Sequence, residues 1–91
     1  ELTFQKPDFS VFRGLAIAFK AGRAGGSMPT VFNAANEMAV SKFLNREISY
    51  LEIPEMIEYA MSKHKLIKNP SIDEILVTEQ ETYDTINSKW R

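Results

Sequence analysis

Apolar residues return along this chain at intervals of three and four, the spacing that gathers side chains onto one face of an α-helix. The first such run holds Phe12, Leu15, Ala16 and Phe19. It follows Pro7, which lacks an amide proton and drives Lys6 out of helical geometry, so Phe4-Gln5-Lys6-Pro7-Asp8 reads as an extended lead-in. Asp8 or Ser10 can cap the helix, and Gly22, Gly25 and Gly26 stop it after about Ala21. The strongest pattern comes next: Val31, Ala34, Ala35, Met38, Ala39 and Lys42 share a face, flanked by Phe32 and Phe43, and predict a helix from Pro29 to Asn45. After Ile48-Ser49-Tyr50, Ser49 and Glu52 imitate a capping box, but Pro54 argues for a later start to the third helix. Its stripe is Ile53, Met56, Ile57, Ala60, Met61 and His64, and the cations Lys63, His64 and Lys65 suit its C-terminus.

Asn69-Pro70 breaks the chain again. Ser71 with Glu74 forms a capping box ahead of Ile72, Ile75 and Leu76, and Thr78 with Glu81 forms a second. Two boxes predict a short helix near Ile72–Val77 and a terminal one near Glu79–Trp90, with a single kinked helix as the alternative. Tyr83, Ile86 and Trp90 then share a face, and Trp90 is expected to close the core rather than anchor an interface. The reading is all-α: one small domain over residues 1–91, a bundle of about four helices with an extended N-terminal lead-in.

Composition narrows the function classes. At 91 residues the chain has room for one core but little for a deep substrate cavity beside it. Eleven basic against twelve acidic residues leave no positive surplus, so neither nucleic acid nor an anionic membrane is expected as a partner. The absence of cysteine removes disulfide and thiolate chemistry and agrees with a reducing compartment. No apolar run approaches the ~20 residues of a membrane span, and no basic-then-apolar leader is seen. The start at Glu1, with Leu2-Thr3-Phe4 reading as if mid-strand, leads us to expect a fragment or a processed product.

Candidate chemistry is sparse. His64 is the single histidine, which rules out a histidine-rich metal site and favours a structural, helix-end role. Glu52, Glu55 and Glu58, and Asp73, Glu74 and Glu79, are spaced as solvated helix faces are. Gly22-Arg23-Ala24-Gly25-Gly26-Ser27 resembles a phosphate loop superficially but lacks the Gly-Lys-Ser/Thr entry and follows a helix rather than a strand, so a flexible connection is expected. The informative stretch is Asn33-Ala34-Ala35-Asn36-Glu37. Asparagine is a poor helix former, and Asn33, Asn36 and Glu37 share a face, which predicts a structural or interdomain polar network. Ala34, Ala35 and Ala39 leave room for another segment to approach this helix closely.

The run Gly25-Gly26-Ser27-Met28-Pro29-Thr30-Val31-Phe32-Asn33-Ala34-Ala35-Asn36-Glu37-Met38-Ala39-Val40 resembles the C-terminal domain of 1-deoxy-D-xylulose 5-phosphate reductoisomerases. Leu2-Thr3-Phe4, Pro7-Asp8, Leu15-Ala16, Ala18-Phe19, Phe43-Leu44, Ile48-Ser49-Tyr50 and Glu52-Ile53-Pro54 flank it in matching order and spacing. One departure is Arg13-Gly14, where the family has a proline after the aromatic corresponding to Phe12. The resemblance implies a parent enzyme that converts 1-deoxy-D-xylulose 5-phosphate to 2-C-methyl-D-erythritol 4-phosphate in non-mevalonate isoprenoid biosynthesis. It further implies a homodimeric parent, inhibited by fosmidomycin, that uses NADPH and a divalent metal, magnesium or manganese, and is cytoplasmic in bacteria or housed in a plastid-type organelle. The family's nucleotide fingerprint, metal-binding acids and substrate-binding serines, histidine and lysine belong to its other domains. None of those motifs occurs in this sequence, so no catalytic, metal or cofactor-binding residue is carried over, and the isolated piece is expected to bind no cofactor and to be inactive. By the resemblance its partner is the catalytic domain of its own parent chain, which it braces. A free-standing helical interaction module, using the Phe32/Phe43 flank or Trp90, is the alternative reading.

Overall fold

The computed structural model describes the backbone of residues 9–90 and the side chains of residues 13–90. The extended lead-in and the Asp8 cap expected from sequence lie outside the described residues. Among the described residues four helices follow one another: α1 (Phe9–Ala24), α2 (Met28–Leu44), α3 (Glu52–Lys63) and α4 (Ile72–Lys89). The Arg13–Glu58 ion pair and the shared groove of Ile17, Lys20 and Ala24 with Glu58, Met61 and Ser62 set α1 parallel to α3. Tyr83 reaches Glu37, and Lys42 reaches the Trp90 carbonyl, so α4 runs parallel to α2. The order is therefore up, down, up, down. α2 and α3 form the central pair, each packing against both α1 and α4, and among the described residues the backbones of α1 and α4 do not approach each other closely.

The core is Ile17 and Ala21 from α1, Val31, Ala35 and Ala39 from α2, Ile48, Met56, Ile57, Ala60 and Met61 around α3, and Ile86 from α4. The buried alanines Ala34, Ala35 and Ala39 are what allow neighbouring helices to close on α2, as the sequence predicts. Met56 and Ile86 are the largest fully buried side chains, and burial of each contributes about 1.5–3 kcal/mol. Trp90, half-buried, packs against the core and sets its ring edge-on to Tyr59 with centroids 5.3 Å apart.

Helix ends follow local chemistry. α2 closes through the amides of Arg46 and Glu47, which return to the Phe43 and Lys42 carbonyls with Arg46 at φ 62°, the two-bond pattern of a Schellman cap. Ser71 caps α4 with both bonds of its box: Glu74 N–H to Ser71 Oγ, and Ser71 N–H to the Glu74 carboxylate.

Four sequence expectations are corrected. The α1 stripe of Leu15, Ala16 and Phe19 does not enter the core: Leu15 is 51% and Phe19 60% exposed, while Ile17 and Ala21 are buried. Two apolar stripes compete in this helix, and the smaller residues of the second let α1 lie close to its neighbours. α3 begins at Glu52, two residues before Pro54, because the first amides of a helix have no intrahelical acceptor and a missing proton there costs nothing. Glu52 also takes the Ser49 amide at 2.7 Å. α4 is one continuous helix through Thr78, which is buried mid-helix, and its carbonyl accepts the Thr82 hydroxyl at 2.8 Å. Finally, α1 continues through Gly22 to Ala24, and the remaining connection is clamped to the segment after α3 rather than loose.

Candidate functional site

The clamp centres on Ser27. Gly25 and Gly26 take φ of +69° and +56°, the left-handed region open to glycine, and turn the chain sharply from α1 into α2. Gly26 lies against the strap after α3: a Cβ there would run into the Ile67 carbonyl oxygen, with the Lys68 Cα and carbonyl both 3.0 Å away. Ser27 is fully buried beside it. Its amide donates to the Ile67 carbonyl at 2.8 Å, its Oγ accepts the Ile67 amide at 2.8 Å, and Oγ lies 2.6 Å from His64 Nε2. A neutral His64 with its proton on Nδ1 lets the Ser27 hydroxyl donate to Nε2. Ser27 gives α2 no side-chain cap, because its oxygen is committed to this strap. The pair resembles a nucleophile and base only in composition: the serine is buried and its oxygen is already engaged, so it offers nothing to a substrate.

Desolvation of His64 lowers its pKa, opposed by the charge of Glu81. Lys63, Lys65 and Asp84 line the same groove. Because the folded state favours the neutral ring, its contribution to stability is complete above the ordinary histidine pKa of about 6.5 and is lost as pH falls through the lowered value. Thermal melts should therefore hold level from pH 8 to 7 and decline in mild acid more steeply than those of a His64→Gln variant. Parallel acid limbs for the two proteins would contradict this.

The second polar feature is the outward side of α2. Asn33, Asn36 and Glu37 are exposed there, and Glu37 accepts the Tyr83 hydroxyl at 2.6 Å, which pushes the Tyr83 pKa up to about 12. The structure thus ties Glu37 to α4. Among the described residues, neither asparagine side chain takes a hydrogen bond. Beside Asn36 runs an apolar groove of about 360 Å³ lined by Leu15, Ala18, Phe32, Tyr50, Ile53 and Pro54.

Sequence reasoning missed Ser27, which reads as one more loop residue after paired glycines. Its neighbour in space, His64, is thirty-seven positions away, and only folding brings the two together. Among the described residues no group of three or more His, Cys, Asp or Glu side chains can hold a metal ion, and no helix is long and apolar enough to cross a membrane.

Fold and polar centre together define a small four-helix bundle organised around a clamped interhelix turn, with a polar face and an apolar groove left outward. Residues 1–85 match the family described as the DXP reductoisomerase C-terminal domain, and the chain belongs to that family. It is 58% identical over 90 residues to the 1-deoxy-D-xylulose 5-phosphate reductoisomerase of Agathobacter rectalis, covering 99% of this chain and 24% of the relative. Enzymes of the same name from Lachnoclostridium phytofermentans and Lachnospira eligens are 58% and 49% identical, over 94% and 99% of this chain and 22% and 24% of theirs. The chain therefore spans about a quarter of the length of the curated relatives it matches.

Proposed function

We propose that this chain is the C-terminal accessory domain of a 1-deoxy-D-xylulose 5-phosphate reductoisomerase, and that it contributes position rather than chemistry. The observation that carries this is the extent of the match: nearly all of this chain against a quarter of enzymes that bear that name. NADPH and a divalent metal belong, on this reading, to the rest of a homodimeric, cytoplasmic or plastid-type parent enzyme. The described residues of this chain do not fit a metal, since they gather no ligand cluster.

The parent's catalytic domain is the partner. Asn33 and Asn36 stand exposed at the middle of the bundle's central helix, where an asparagine weakens the helix unless something else rewards its amide. A docked domain edge supplies that reward. Glu37, held by Tyr83, orients the same face. A displacement of catalytic groups by ~1 Å costs about a hundredfold in rate, so a brace without reacting groups still governs turnover.

The test is an Asn33→Ala/Asn36→Ala variant of the full-length enzyme. Turnover should fall about tenfold, near 1.4 kcal/mol, with NADPH affinity unchanged. Unaltered turnover and melting would remove the asparagines from the interface, and lost NADPH binding would point to a wider defect.

A further inference from the structure

Residues 64–70, the strap, lie between the end of α3 and the Ser71 cap of α4. Apart from the His64 amide, which closes α3 at the Met61 carbonyl, every hydrogen bond from the strap among the described residues ends on Ser27. One of its partners there titrates. With His64 neutral the bonds agree with one another: the Ser27 hydroxyl gives its proton to Nε2 and takes one from the Ile67 amide. With His64 charged, Nε2 becomes a donor, so Ser27 Oγ has to accept twice and its own proton loses its acceptor in a fully buried site. The charged ring is also better hydrated once the strap has lifted, since desolvation favours the neutral form. Around it, Lys63 of α3 and Lys65 of the strap repel the charge, with Lys68 further along the strap. Glu81 and Asp84 of α4 attract it, and Gly25, Gly26 and Ser27 present no charge.

We propose that the strap is an acid-opened latch: protonation of His64 releases residues 64–70 from Ser27 as one local unit, and with them the glycine turn between α1 and α2. The release is cooperative because the bonds share a single residue, so the loss of one weakens the seat of the others. Gly26, against which the strap backbone closes, offers no side chain to hold it once those bonds part. In the open form the turn keeps its own bonds, the Gly25 amide to the Ala21 carbonyl and the Met28 amide to the Gly25 carbonyl. α1 is then held to its neighbours by packing and by the exposed Arg13–Glu58 pair. The buried core cluster contains no titratable side chain, so acid loosens the α1–α2 reversal while α2 and α3 stay closed on each other.

The experiment is amide hydrogen exchange of the 91-residue chain at about pH 7.5 and about pH 5, each rate taken relative to an unstructured amide at the same pH. The Ser27 and Ile67 amides should lose about fivefold of their protection in acid, the factor carried by one ordinary hydrogen bond. Urea below the unfolding range should leave their exchange unchanged while speeding that of Ala39 in the core, because a local opening exposes little surface. His64→Gln keeps a hydrogen-bonding side chain but removes the titration, so the acid response of both amides should vanish whatever their protection at neutral pH. Glu81→Gln removes an attracting charge and should move the midpoint of the response to lower pH. Protection that does not change in acid overturns the latch, as does an acid response that survives His64→Gln. A urea dependence at Ile67 equal to that at Ala39 overturns it too, because the strap would then leave Ser27 only when the whole bundle unfolds.

Discussion

Gly26→Ala should lower the melting temperature of this domain by about 12–30 °C, the largest effect expected of any single methyl added to it. Two costs combine. A left-handed φ of +56° costs an alanine about 1–2 kcal/mol. The new Cβ also meets the Ile67 carbonyl and the Lys68 backbone, and relief of that contact lifts the strap away from Ser27, losing two hydrogen bonds of about 1 kcal/mol each. The sum, about 3–4 kcal/mol, is a large part of the roughly 5–14 kcal/mol available to a chain of this length. Gly25→Ala is the control: it carries the left-handed φ, +69°, but no atom lies within 4 Å of its Cβ, so only the first cost applies. Calorimetry of both proteins isolates the contact. Equal melting temperatures would mean that the strap does not press on Gly26.

Ser27→Ala should cost about 2–3 kcal/mol, although it leaves shape almost unchanged. It deprives the Ile67 amide and His64 Nε2 of their partner, and each group left unsatisfied costs about 1–3 kcal/mol, toward the lower end here because both residues are only half-buried. The loss should be non-additive with His64→Gln, because the two side chains act as one unit. The histidine titration in Ser27→Ala, followed by NMR, should also move from its value in the parent protein. Additive losses with an unmoved titration would reduce the clamp to ordinary packing.

The two variants act on what the sequence hid. Helical periodicity exposed α2 and α3 almost residue by residue, because their stripes lie against neighbours on more than one side. It failed for α1, where two stripes of different size were available and periodicity alone does not weigh how closely a small residue lets helices approach. At Thr78 it mistook a buried mid-helix hydroxyl residue for a cap, since both uses place a threonine three positions before a glutamate. Pro54 misled in the opposite sense: proline disfavours a helix interior but sits freely in its first turn. Local spacing singles out Asn33, Asn36 and Glu37 as one face of α2, but the contacts that join one element to another are illegible in it. Tyr83 lies forty-six positions from Glu37, and Ile67 forty from Ser27. No spacing rule on a single chain links such pairs.

If this chain supplies position and the rest of its parent supplies the chemistry, the parent's ligands should leave the 91-residue chain unmoved. The measurement is a titration of that chain with NADPH, a divalent metal and 1-deoxy-D-xylulose 5-phosphate, followed through its backbone amide NMR shifts. A dispersed spectrum should stay still through millimolar ligand. A contiguous set of shifts around Asn33–Glu37 at sub-millimolar ligand would contradict it, and would place a direct ligand contact on the outward face of α2.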